Sequence, residues 1–234
     1  MAGITIRNAD GNVSVSSDFT PLTGITLRKI TTASDSGDIY DGGIDNAFSP
    51  WDSQKVYFML KNSKFPEIYD ASKPYVTWFQ LYDGHDACPG GFFSDNCGQL
   101  CISNTVAPTK GKYLNVYDAN GNITWSVESC AKMPRIIGEL FIPPNLKFKQ
   151  EMTFTGIPKD AYFLANCFFC DDDYGGGGEL GNDSQLIMMA IKREGTNIRF
   201  IYSNYYNWWV DQIGTTIGDV FPGGIYIPYA SISI

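Results

Sequence analysis

Residues 4–15 read ITIRNADGNVSV, and residues 114–125 read LNVYDANGNITW, the same short pattern 110 positions later. Asp10-Gly11 and Asn120-Gly121 are the strongest short-range signals for a tight hairpin turn, because Gly, Asn and Asp tolerate the positive φ such a turn demands. A two-residue turn at each place fixes a register. Ile6 then faces Val15 and Asn8 faces Val13. In the second copy Leu114, Val116, Ile123 and Trp125 share one face, and Asn115, Tyr117 and Thr124 share the other. Hydrophobic alternation and turn register agree in both copies, as two half-buried hairpins require. Neither copy holds a reactive group, so Asp10, Gly11, Asn120 and Gly121 are framework residues.

The rest of the chain extends this pattern. No stretch keeps an i, i+3, i+4, i+7 apolar spacing over three turns, whereas strand-like runs recur at 24–31, 55–61, 75–82, 135–142, 151–157, 161–169, 185–193, 197–203 and 225–233. Gly- and Pro-rich turns such as YDGGIDN and FPGG separate them. The expected fold is all-β, with one or two antiparallel β-sandwich-like units. The segment SNTVAPTKGK (103–112) is the best linker. It suggests an N-terminal β domain over 1–105 and a C-terminal one over 112–234, with a single intertwined domain as the alternative.

Composition narrows the function. With 44% apolar and 18% charged residues over 234 positions, the chain is a folded globular protein. Its formal net charge of −8, with 17 scattered basic residues, argues against nucleic acid as a partner. The longest apolar run, AYFLANCFFC (161–170), is about half of what a membrane-spanning helix needs, so membrane insertion is not expected. The start, MAGITIRNADG, lacks a basic segment followed by an apolar one. Synthesis in a cytoplasm, with six free thiols rather than three disulfides, is the expectation.

The string apolar-x-apolar-x-Asn/Asp-Ala-x-Gly-Asn-apolar near the initiator Met resembles the opening of small tail proteins of long-tailed bacteriophages. Proteins of that kind often carry a second similar string mid-chain, here KYLNVYDANGNITWS (112–126). The resemblance covers only about 25 residues of turn motif and brings no catalytic residue with it. It implies a structural protein of a tail tip or fibre assembly, located in the virion. It also implies docking to other tail proteins, a homo-oligomeric ring or trimer, and contact with a bacterial surface glycan or protein.

Other constellations favour framework readings. Cys97-x3-Cys101 with Cys167-x2-Cys170 has zinc-like spacing, but i and i+3 on a strand NCFFC point to opposite faces. CDDDYGGGGELGNDS (170–184) gathers Asp171, Asp172, Asp173, Glu179 and Asp183, yet lacks the alternating ligands of a calcium loop and reads as a solvent loop. His85, the single histidine, is three residues from Cys88 in a Gly/Pro-rich turn, a poor setting for attack geometry. No catalytic residue, metal site or cofactor is assigned, and the chain is expected not to be an enzyme. Tyr205, Tyr206, Trp208 and Trp209 in YSNYYNWWVDQ are the candidate interface or glycan contacts, and a carbohydrate- or receptor-binding module using them as a platform is the alternative function.

Overall fold

The structure is a computed structural model. It describes residues 5–7, 9, 13–16, 22–30, 47–48, 51, 56–58, 60, 75–106, 108–168, 170–174, 184–204 and 216–233. In chain order these form β1 (Thr5–Arg7), β2 (Val13–Ser16), β3 (Gly24–Ile30), β4 (Ala47–Phe48), β5 (Val56–Tyr57), β6 (Tyr75–Leu81), β7 (Asp86–Cys88), β8 (Phe92–Phe93) and β9 (Gly98–Asn104). Then follow β10 (Asn115–Tyr117), β11 (Ile123–Ser126), α1 (Val127–Cys130), β12 (Arg135–Ile142), β13 (Glu151–Phe154) and β14 (Tyr162–Leu164). A 3-10 turn (Ala165–Cys167), β15 (Cys170–Tyr174), β16 (Ser184–Glu194), β17 (Asn197–Asn204), α2 (Ile217–Val220) and β18 (Ile225–Ser231) complete the described chain. No helix among the described residues is long and apolar enough to cross a membrane.

The fold is all-β and sandwich-like. One sheet runs β12-β18-β14-β6-β9-β3; the other runs β13-β17-β16-β7-β8, with β15 also paired to β16. All pairings among the described strands are antiparallel. Strands from before and after 103–112 share both sheets, so that segment does not separate two independent sheets: it leaves β9 and leads to β10.

Alternation along the strands builds the core between the sheets. Phe79 and Leu81 of β6, Leu100 and Ile102 of β9, Leu140 and Ile142 of β12 and Phe163 of β14 point inward from the first sheet. Ala87, Phe93, Met189, Ile191, Ile198, Phe200 and Tyr202 meet them from the second. Phe79 and Phe93 bridge the layers edge to face, with ring centroids 5.4 Å apart; a fully buried Phe contributes roughly 1.5–3 kcal/mol. The outer face of the first sheet carries a smaller cluster around Trp78, Cys101, Tyr162 and Ala230. At the end of that sheet β12 is interrupted by a bulge between Ile136 and Gly138 and carries exposed Arg135 and Glu139, features that discourage edge-to-edge pairing.

Two sequence expectations need correction here. The run 161–169 is not one strand. β14 ends at Leu164, a 3-10 turn follows, and pairing resumes only at Cys170. The stretch 170–174, expected to be part of a solvent loop, is β15, whose Asp171, Asp172 and Asp173 pair with Ile187, Leu186 and Gln185 of β16.

Candidate functional site

The two hairpins are the same device to the residue. In the first, Thr5, Ile6 and Arg7 pair with Ser16, Val15 and Val13. In the second, Asn115, Val116 and Tyr117 pair with Ser126, Trp125 and Ile123. Adding 110 to every member of the first set gives the second. The register shift falls at the same place in both, between Ile6 and Arg7 and between Val116 and Tyr117. The expected Ile6–Val15 pairing is present, but Arg7, not Asn8, faces Val13.

The second hairpin shows why. Asp118 N–H donates to the Asn122 carbonyl at 2.9 Å, and Gly121 N–H donates to the Asp118 carbonyl at 3.2 Å. The loop therefore has three residues, Ala119 to Gly121, and ends on Gly121 at φ 83°. Asn120-Gly121 is not the centre of a two-residue turn: the left-handed glycine closes a three-residue loop. A separate bulge follows in β11, where Thr124 is the extra residue between the Tyr117–Ile123 and Val116–Trp125 pairs. It is buried, and its hydroxyl donates to the Val116 carbonyl at 3.4 Å. The expected single apolar face is broken accordingly: Val116 is buried, Ile123 and Trp125 are half-buried, and Leu114 is exposed. Asp10 and Gly11 lie outside the described residues.

Asp118 locks the loop. Its carboxylate accepts from the backbone N–H groups of Asn120 and Asn122, both at 2.8 Å, and from Asn122 Nδ2 at 2.9 Å. The Asn122 side-chain amide, followed by these backbone groups, holds the carboxyl below its usual range. Behind the hairpin, Ser126 caps α1 by accepting from Ser129 N–H at 3.2 Å, and Ser129 Oγ accepts from Thr109 N–H at 3.0 Å. Because the first hairpin precedes β3 and the second follows β9, and Gly24 pairs with Asn104, both emerge from one end of the first sheet. There β2 lies against β11. On this rigid base the stretch 113–127 exposes four large apolar side chains: Tyr113 (79%), Leu114 (49%), Tyr117 (43%) and Val127 (37%).

A second site that sequence reading missed lies beside β6. Opposite β14 the ladder runs only from Phe163–Phe79 to Leu164–Trp78. Beyond it Asn166 Oδ1 accepts from Thr77 N–H at 3.2 Å, replacing a backbone partner. The short β14 and the small Ala165 leave a cavity of about 250 Å³, lined by Tyr75, Thr77, Phe93, Leu100, Asn166 and the Gly90-Gly91 turn among others. No strand-level signal marks it: Thr77 reads as an ordinary strand residue.

A third unpredicted feature is Arg193 on β16, 1% exposed. Its Nη1 donates to the carbonyls of Pro158 and Gly195 at 3.2 and 3.3 Å, and the guanidinium lies 5.7 Å from the Phe163 ring centroid. Nε and Nη2 are buried without a protein partner. Burial pulls the guanidinium pKa down, and Asp83 and Asp160 oppose that shift.

The other expected sites are dispersed. Cys97 sits in the main core and Cys101 in the cluster on the opposite face of the sheet, so the two thiols do not converge. Cys167 closes the 3-10 turn rather than sharing a strand with Cys170, and Cys88, Cys97, Cys101, Cys130 and Cys167 are all free thiols. Among the described residues no three His, Cys, Asp or Glu side chains group as metal ligands. His85 belongs to the β6–β7 turn, where its carbonyl accepts from Arg193 N–H at 2.9 Å, while Cys88 is buried in β7. Glu179, Asp183, Tyr205, Tyr206, Trp208 and Trp209 lie outside the described residues.

Fold and hairpin pair together define an all-β, sandwich-like protein with a duplicated hairpin at one end of a sheet. The chain belongs to the family described as Domain of unknown function (DUF8377), whose model matches residues 1–231. No curated protein and no solved structure matches it significantly.

Proposed function

We propose that the chain is a non-enzymatic structural component of a bacteriophage tail tip or fibre assembly, acting in the virion by docking to other tail proteins as a homo-oligomeric ring or trimer. The observation that carries this reading is the exposure of Tyr113, Leu114, Tyr117 and Val127 on a hairpin fixed by Asp118 and Ser126. Large exposed apolar side chains carried on a rigid support suit an interaction surface. The duplicated motif near the start and mid-chain supports the tail assignment through its resemblance to tail proteins. Closed rotational symmetry suits a part that must fit a tube.

Purified virions probed with an antibody to the chain, by negative-stain imaging and by mass spectrometry, test the proposal. Labelling confined to the tail is expected, and a Tyr113→Ser/Leu114→Ser double variant should be incorporated poorly while keeping its melting temperature. Absence of the protein from virions overturns the reading.

A further inference from the structure

We propose that the cavity beside Thr77 is a binding site for a neutral, hydroxyl-bearing ring, a single hexopyranose unit of a glycan. The starting point is an anomaly on β6. Its inward positions are Tyr75, Thr77, Phe79 and Leu81, with Thr77 opposite Ile102 of the core. A polar side chain thus points into the apolar layer between the sheets. Thr77 is 8% exposed, and its hydroxyl has no hydrogen-bond partner among the described residues; only its backbone N–H is engaged, by Asn166. The hydroxyl is not one of the sealed, unpartnered polar atoms of the core: Thr77 lines the cavity, where its hydroxyl can pair with an occupant as a valine of the same shape could not.

Size and chemistry specify the occupant. About 250 Å³ lies below the roughly 300–1,000 Å³ of pockets for drug-sized ligands and far above the roughly 30 Å³ share of one water. That is room for one ring. The lining side chains among the described residues are all uncharged, which suits a neutral ligand. The polar groups are the Thr77 hydroxyl, which both donates and accepts, and the Asn166 amide. Asn166 Oδ1 is committed to Thr77 N–H, which leaves Nδ2 as a donor at an exposed rim position. A purely apolar ring would satisfy neither group. A pyranose offers hydroxyls to both, and its C–H face can pack on Tyr75 and Phe93.

This site is separate from the hairpin surface, and the inference does not depend on a place in the virion. The test uses the full chain and saturation-transfer difference NMR with the methyl glycosides of glucose, galactose and N-acetylglucosamine, and with p-cresol as a mimic of a partner's tyrosine side chain. Saturation transfer to at least one glycoside is expected, with shifts of the Ala165 and Leu100 methyl signals in the unmodified protein. Thr77→Val should weaken that binding by about five- to tenfold, the loss of one hydrogen bond, while the melting temperature holds or rises. Transfer to no glycoside, binding of p-cresol alone, or undiminished glycoside affinity in Thr77→Val would each overturn the proposal.

Discussion

Asp83 and Arg193 grip Gly195 from its two backbone groups. Asp83 Oδ1 accepts the Gly195 N–H at 2.6 Å, and Arg193 Nη1 donates to the Gly195 carbonyl at 3.3 Å. The β6–β7 turn, the β13–β14 loop and the β16–β17 turn are thereby fastened together, with Ile157 N–H donating to the Thr196 carbonyl at 2.9 Å as a further tie. The arrangement separates two substitutions. Arg193→Ala removes the packing under Phe163 and orphans two carbonyls, so it should destabilise by about 3 kcal/mol or more. Arg193→Met orphans the same two carbonyls but fills most of the volume and removes two buried nitrogens that have no protein partner, so it should cost clearly less than Arg193→Ala. Urea denaturation of both variants gives the comparison; equal losses would mean that the guanidinium's polar contacts with Pro158 and Gly195, not the packing, matter.

The three-residue hairpin loop can be tested at its last residue. Gly121 has φ 83°, and a Cβ there meets nothing within 4 Å, so any cost of substitution is backbone strain alone. Gly121→Ala should cost about 1–2 kcal/mol and Gly121→Asn clearly less. Asp118 adds a pH signature. Its carboxyl is held below the usual range by Asn122 and its neighbours, so its contribution is present above the unfolded value of about 3.9. That contribution is lost as pH falls through the depressed folded value. Asp118→Asn should flatten the acid limb of melting temperature against pH, and an unchanged limb would show that the interaction is energetically silent.

How far the sequence foretold this fold depended on whether a strand carries a long apolar run or a regular alternation. β12, β16, β17 and β18 have flanking turns and apolar-rich patterns, and they lie where expected within a residue or two. β9 was missed, although it sits in the middle of a sheet. Gly98, Leu100, Cys101, Ile102 and Ser103 are all buried, so no polar face marks the period. The hairpins were legible in their outer register but not in their loops, because Asn-Gly serves a two-residue and a three-residue turn equally well. The cavity was invisible for another reason. It arises from β14 being short beside β6, a relation between segments some 85 residues apart, and Thr77 alone does not signal it.

β9 also supplies a close-packing prediction. A Cβ on Gly98 would lie 2.0 Å from the Gln80 carbonyl oxygen and within 3 Å of the Phe79 ring. Neither is a flexible side-chain tip, since one is backbone and the other a core ring that meets Phe93. Gly98→Ala should therefore cost about 3 kcal/mol or more and shift the Phe79 ring signals. Chemical denaturation with aromatic NMR reports both, and a near-neutral variant would show that β6 and β9 can move apart.

The last prediction concerns the alkaline limb. Burial pushes the Cys101 thiol up to about 11 from its ordinary 9.0, only partly opposed by the nearby Ser103 hydroxyl. Burial also raises Cys130, Cys167, Tyr162 and Tyr202. For each, the folded state holds its proton more tightly than the unfolded chain does. The resulting stability is complete below the unfolded value and is lost as pH rises through the folded one, for Cys101 between 9 and about 11. The melting temperature should fall steeply over that interval, and Cys101→Ala, whatever its cost at pH 7, should make the fall shallower. At pH 8 the native Cys101 thiol, 0% exposed, should react with a disulfide reagent only as fast as the protein opens, because the attacking thiolate is both scarce and enclosed. Rapid labelling of Cys101 in the folded protein, identified by peptide mapping, would mean that the outer face of the first sheet is open around Trp78.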